Sequence, residues 1–299
     1  MSKIFIQGKV IVISGSPHET AIQTEILDLW DQDYSFIGQN YSIAVDGSVG
    51  IFAQSMILNC GGAYPFISDC FLLDQNGFQL YASLLEPRGY AASIMVNGIF
   101  WITGGGNPGF SNSSEILDLS EAKSRPGPGL PKSLFKHCLV EYDANQVMLI
   151  GGYDGRNQVD DTFIYDFITE EWKSGPVLQK QRDSHACTVH RSRIWIIGGY
   201  NGLDMKSVEI LDQSGSWIDG PELPYGLFGH QIVSITDNPY VLGGFSFDNF
   251  GYPQEILKLQ YHGSTCQWIK TESILQIPRN FFTALSIPDL ITDDKINSN

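Results

Sequence analysis

Short apolar runs ending in a glycine pair recur along this chain, and their spacing limits the folds open to it more than any other feature. The runs read MILNCGG at 56–62, FWITGG at 100–105, VMLIGG at 147–152, IWIIGG at 194–199 and YVLGG at 240–244. A degenerate copy, VIVISG, ends at Gly15. The last glycines stand at 15, 62, 105, 152, 199 and 244, in steps of 47, 43, 47, 47 and 45 residues. A period of this size marks an array of supersecondary units, none of which can bury its apolar face alone.

Two further signatures keep the same period. Eleven to thirteen residues after each pair, an apolar residue precedes Asp: Leu27-Asp28, Leu73-Asp74, Leu117-Asp118, Tyr165-Asp166 and Leu211-Asp212, with Leu257-Lys258 as the sixth copy. Beyond it come Tyr34, Trp172, Trp217 and Trp268. Upstream of the pair by 13 or 14 residues stand His137, His185 and His230, with Tyr90 in their place in the third unit. Each unit reads as four short strands, A to D. In the fifth these are HACTVH, RIWII, SVEILD and a fourth strand into which SGSWID leads, and no 3.6-residue apolar face is sustained anywhere. Four strands per period, six times over, predict an all-β, six-bladed β-propeller of four-stranded antiparallel blades, with residues 1–299 as one unit. The first unit opens at its strand B, and residues 279–290 read as a strand A with nothing after it. The C-terminal strand is therefore expected to complete blade one at its inner edge.

Charge narrows the partners. With 33 acidic and 18 basic residues the net charge is −15, so nucleic acid and anionic membrane surfaces are not expected partners. No apolar run approaches the ~18 residues of a membrane-spanning helix. The N-terminal MSKIFIQGKVIVISG lacks the apolar core and cleavage site of a leader, so none is expected. Five cysteines, an odd count without closely spaced pairs, argue against a disulfide framework and against a zinc site, leaving open one bridge between Cys60 and Cys70. Sequons at Asn40 and Asn112 matter only for a secreted chain, and a cytoplasmic location is expected.

The copies resemble the kelch repeat, most fully where Gly151-Gly152 is followed by Tyr165 and Trp172, and the resemblance covers roughly residues 9–290. GGYDG and GGYNG, at 151–155 and 198–202, are most similar to the propellers of Kelch-like adaptor proteins. That resemblance implies partner recognition by the propeller, while a separate N-terminal domain recruits a ubiquitin ligase. Six blades leave no room for that domain here, so only the recognition half is expected. The family also implies two rivals: a sugar enzyme similar to bacterial sialic-acid mutarotases, and an actin-associated protein working as a dimer.

Loops on a rigid scaffold are the usual place for recognition. The face where B–C and D–A loops gather resembles the one that takes a peptide in Kelch-like adaptors. The matching positions are Tyr64, Asn107, Tyr153, Asp154, Tyr200, Asn201 and Phe245 on B–C loops, with Arg88, Arg182 and Arg279 on D–A loops. Tyr and Arg are favoured interface anchors, and three arginines on an acidic chain would favour an acidic or phosphorylated peptide. His137, His185 and His230 either converge on the channel as metal ligands or belong to the repeat's packing. No carboxylate pattern accompanies them, so neither a metal nor a cofactor is expected. The tryptophans read as interblade packing and the aspartates as turn caps. The expected function is a non-catalytic protein-interaction module, a substrate-recognition or scaffold protein.

Overall fold

The structure, a computed structural model, describes residues 7–17, 22–29, 34–41, 43–106, 109, 111–249 and 251–288. Asn107 lies outside them. Blade one joins β1 (Gln7–Ile13), β2 (Gln23–Asp28) and β3 (Tyr34–Asn40) to the last strand of the chain, β24 (Thr283–Pro288). Blade two is β4 (Val49–Ala53), β5 (Met56–Cys60), β6 (Asp69–Asp74) and β7 (Gly77–Ser83). Blade three is β8 (Ala92–Val96), β9 (Ile99–Thr103), β10 (Ser114–Asp118) and β11 (Lys123–Pro126). Blade four is β12 (Cys138–Asp143), β13 (Gln146–Ile150), β14 (Thr162–Asp166) and β15 (Glu171–Ser174). Blade five is β16 (Ala186–His190), β17 (Arg193–Ile197), β18 (Val208–Leu211) and β19 (Trp217–Asp219). Blade six is β20 (Gln231–Ile235), β21 (Asn238–Leu242), β22 (Glu255–His262) and β23 (Thr265–Ile274).

The inner strands follow one another around the channel as β24, β4, β8, β12, β16, β20 and back to β24. Closure is as expected: β24 pairs antiparallel with β1, with Val10 opposite Ser286 and Val12 opposite Ala284. The strand starts at Thr283 because the residues before it form the entering turn, where Asn280 bridges Ser16.

Apolar side chains from neighbouring blades interleave. Trp101 of blade three packs with Leu149 and Tyr165 of blade four. The strand D tryptophans cross to the preceding blade, Trp217 Nε1 donating to Pro176 O (2.9 Å) and Trp268 Nε1 to Pro221 O (3.0 Å). The aspartates cap turns: Asp166 Oδ1 accepts from Ile168 N and Thr169 N, and Asp118 Oδ1 from Ser120 N and Glu121 N.

Close approach explains the glycine pair. A Cβ on Gly151 (φ +56) would lie 2.8 Å from Arg182 O and 2.8 Å from His185 Cε1, and one on Gly152 (φ +105) 2.8 Å from His137 Cβ. Each of the three repeat histidines thus packs on the first glycine of the blade before it: His137 on Gly104, His185 on Gly151, His230 on Gly198, with Phe282 on Gly243. The histidines serve the repeat's packing. Tyr90 is not their third-unit counterpart. Ala91 holds that place, its Cβ against Gly105.

The structure corrects the expectation of no disulfide framework. Strand pairing sets Cys60 opposite Cys70, and the two are bonded. Cys138 and Cys187, 49 residues apart, are bonded between blades four and five. Interblade adjacency, which residue spacing does not reveal, made the second pair.

Candidate functional site

The D–A loops enter the channel mouth through six residues in left-handed backbone conformation, one per blade: Gly47, Tyr90, Lys136, Ser184, Gly229 and Phe281. Their backbones form a closed ring. Tyr90 N–H donates to Gly47 O, Lys136 to Tyr90, Ser184 to Lys136, Gly229 to Ser184, Phe281 to Gly229 and Gly47 to Phe281, at 2.7–2.9 Å. The ring consumes its own donors and acceptors, so the mouth presents side chains rather than backbone to a ligand. Two members are glycine for a steric reason. A Cβ on Gly47 would lie 2.5 Å from Tyr90 Cδ1, and one on Gly229 would lie 3.1 Å from the Phe281 ring. Their absence lets Tyr90 and Phe281 meet over the opening, centroids 5.1 Å apart and planes at 82°.

Lys136 rises between these rings. Its Nζ lies 4.9 Å from the Phe281 centroid, 5.1 Å from Tyr90 and 5.5 Å from Phe135, a cation–π arrangement. Burial lowers its pKa, while Asp183 and Asp46 pull the other way. Asp46 accepts from the Tyr90 hydroxyl at 3.3 Å, and Asp183 from Ser184 Oγ (2.6 Å) and Gln158 Nε2 (3.0 Å). Below the mouth lies a channel cavity of about 230 Å³ walled by the inner strands.

Outward from Lys136 the rings continue. Phe135 contacts Tyr153 (5.4 Å), Phe281 contacts Phe228 (6.1 Å), and Phe228 contacts Tyr200 (5.3 Å), Phe245 (5.5 Å) and Phe247 (6.0 Å). Tyr252 packs edge-on against Phe245. These eight rings and Tyr90, nine in all, form one connected aromatic surface. Phe247 is 48% exposed and the others are half-buried.

Of the positions read from the sequence, Tyr153, Tyr200 and Phe245 belong to this surface. Tyr64 is exposed beside Phe66, and Asn201 is exposed at its loop tip. Asp154 caps its own turn, accepting from Arg156 N and Asn157 N, which holds its carboxyl below the usual range. Phe135, Lys136, Phe228 and Phe281 escaped the sequence reading. The signal was present: three of them sit one or two residues before the repeat's histidine.

The three arginines are elsewhere. Arg88, Arg182 and Arg279 are 3%, 0% and 0% exposed. Arg182 Nη2 donates to Glu209 Oε1 at 2.6 Å, and its Nη1 to Gly198 O and Ser207 O. Arg88 Nε donates to Glu115 Oε1 at 2.8 Å, with Nη1 on Gly104 O. Arg279 donates to Ser14 O and Gln23 O with Glu25 at 4.0 Å, and burial draws it down to about 10. Each carboxylate also accepts two backbone N–H groups of the incoming D–A loop, those of Gln179 and Lys180 for Glu209. The arginine carbonyls meanwhile accept from Gly62, Gly152 and Gly244 of the preceding blade. These residues clamp blade to blade, and the acidic or phosphorylated partner inferred from them loses its basis. The clamp alternates around the ring. Blades two, four and six carry Val45 with Phe71, Leu134 with Phe163, and Leu227 with Leu257 at the same two positions. In blade six the pairing of Val241 with Leu257 slides the EILK segment, so Glu255 faces Lys270 instead.

Among the described residues no group of three or more His, Cys, Asp or Glu is placed to hold a metal ion, and no helix is long and apolar enough to cross a membrane.

The Kelch motif matches residues 135–177 and 181–224. Kelch repeat-containing protein kel-10 of Caenorhabditis elegans is 26% identical over 159 residues, covering 50% of this chain and 26% of that protein. Kelch-like protein 40a of Danio rerio is 32% identical over 127 residues, covering 38% of this chain and 20% of that protein. The chain thus spans about a quarter or less of these relatives. The solved structure of YjhT covers 90% of this chain and is itself covered to 98%, with TM-score 0.75 at 13% identity, a likeness of fold.

Proposed function

The chain is a kelch-repeat β-propeller, and on that premise we propose that the face around its channel mouth is a protein-interaction surface that takes a loop or extended segment of a partner. The observation that carries this is the connected aromatic surface centred on Phe228. Loops that served only as connections would have no reason to assemble nine rings in contact at half exposure. Aromatic side chains give large contact area at low entropic cost and dominate binding hot spots. The mouth brings little net charge of its own, because Asp46 and Asp183 answer Lys136. Stacking therefore supplies the affinity, and the role is substrate recognition or scaffolding without catalysis.

Selection from a displayed random-peptide library on the immobilised chain tests this. Peptides selected by the wild type are expected to lose at least tenfold in affinity for a Phe228→Ala, Phe245→Ala variant, since ~1.4 kcal/mol is tenfold. They should bind Tyr142→Ala, at the opposite end of the blades, unchanged. Peptides that keep their affinity for the aromatic variant and lose it for Tyr142→Ala would move the site to the other face.

A further inference from the structure

Four of the five cysteines are bonded in pairs, and only Cys266 is free. The pairs differ in kind. Cys60 and Cys70 are fully buried neighbours within one sheet. Cys138 and Cys187 join the innermost strands of two blades and line the channel cavity. Two bridges, one of them between blades, are the habit of proteins that mature in an oxidising compartment, since cytosolic thiols are kept reduced.

An independent feature points the same way. Asn112-Ser113-Ser114 is an acceptor sequon, and the fold sets it on the B–C loop of blade three. Asn112 is exposed, while Ser114 is buried, its Oγ donating to Pro128 O at 2.6 Å. A bulky glycan needs such an asparagine, standing out from the surface.

We infer that this chain matures in an oxidising, glycosylating compartment, where it forms Cys60–Cys70 and Cys138–Cys187 and carries an N-linked glycan at Asn112. This replaces the cytoplasmic location expected from the sequence, and it is independent of what the aromatic face binds. In each bridge two thiols give up two protons and two electrons to form one S–S bond. The electrons reduce the disulfide of a compartment oxidoreductase to its dithiol by exchange. At Asn112 the amide nitrogen forms a bond to the anomeric carbon of a lipid-linked oligosaccharide. The bond from that carbon to the lipid pyrophosphate breaks, and one amide proton leaves with the base that accepts it.

The test uses the protein from its native source, lysed in N-ethylmaleimide, then reduced, labelled with a second maleimide and digested. Cys266 is expected to carry the first label and the other four cysteines the second. Glycosidase treatment that converts a glycosylated asparagine to aspartate is expected to do so at residue 112. First label on Cys138 and Cys187 would overturn the oxidised state. Asparagine at position 112 after treatment would overturn the glycan.

Discussion

Removing the Arg182 guanidinium should damage the fold more than any exposed substitution. Its side chain and that of Glu209 are both 0% exposed. In Arg182→Leu the Glu209 carboxylate keeps only the N–H groups of Gln179 and Lys180. Gly198 O, Ser207 O and Ser207 Oγ each lose a donor. Breaking a buried ion pair by removing one partner costs about 3–5 kcal/mol, a large share of the roughly 5–15 kcal/mol that holds a domain folded. Blade four supplies the compensation, because Leu134 and Phe163 occupy the same two positions there. The double variant Arg182→Leu, Glu209→Phe removes both charges and leaves the N–H groups of exposed Gln179 and Lys180 to water. It is expected to recover at least ~1 kcal/mol relative to Arg182→Leu, a coupling within the range measured for contacting residues. Urea unfolding followed by tryptophan fluorescence reads both values. A cost below ~1 kcal/mol for Arg182→Leu, the size expected of the half-exposed Lys132–Asp161 pair, would refute the clamp. So would a double variant whose loss equals the sum of the single losses.

Three further outcomes follow from the same geometry. Gly151→Ala and Gly202→Ala both place a Cβ at positive φ, but only the first meets neighbours, so it should cost at least ~1 kcal/mol more than Gly202→Ala, and equal losses would show that close approach plays no part. Burial lowers His137 to about 3, His230 to about 4 and His185 well below 6.5. The unfolded chain therefore binds the extra protons below pH 6.5, and stability falls as pH drops through that value, by about 1.4 kcal/mol per unit for each histidine. His137→Gln should accordingly lose about 1.6 kcal/mol less than wild type between pH 6.5 and 5 in urea titrations, and an unchanged pH dependence would refute its burial as a neutral ring. Ending the chain at Pro278 removes β24 and the Arg279 partner of Glu25, exposing the inner edge of β1. The product should lack a cooperative urea transition, and a soluble, cooperative truncated chain would sink the closure.

Strand order, blade number and closure were legible along the chain because each rests on local pattern. Alternation sets a strand, a glycine pair marks where it meets its neighbour, and an unmatched strand at each end can only pair with the other. The aspartate caps were legible for the same reason, their partners lying within four residues. Tyr153, Tyr200 and Phe245 could be placed on the channel-mouth face because they follow the glycine pairs. The arginines were misread because a charged side chain is buried or exposed according to its partner. Glu115 and Glu209 each stand 27 residues beyond their arginine, a repeated spacing that two copies offered and only packing made meaningful. Tertiary structure alone decided the Cys138–Cys187 bridge, the ring of six left-handed residues and the rings gathered over the mouth. Each of these depends on how close one blade comes to the next, a distance set by side chains filling the space between sheets rather than by any residue's neighbours in sequence.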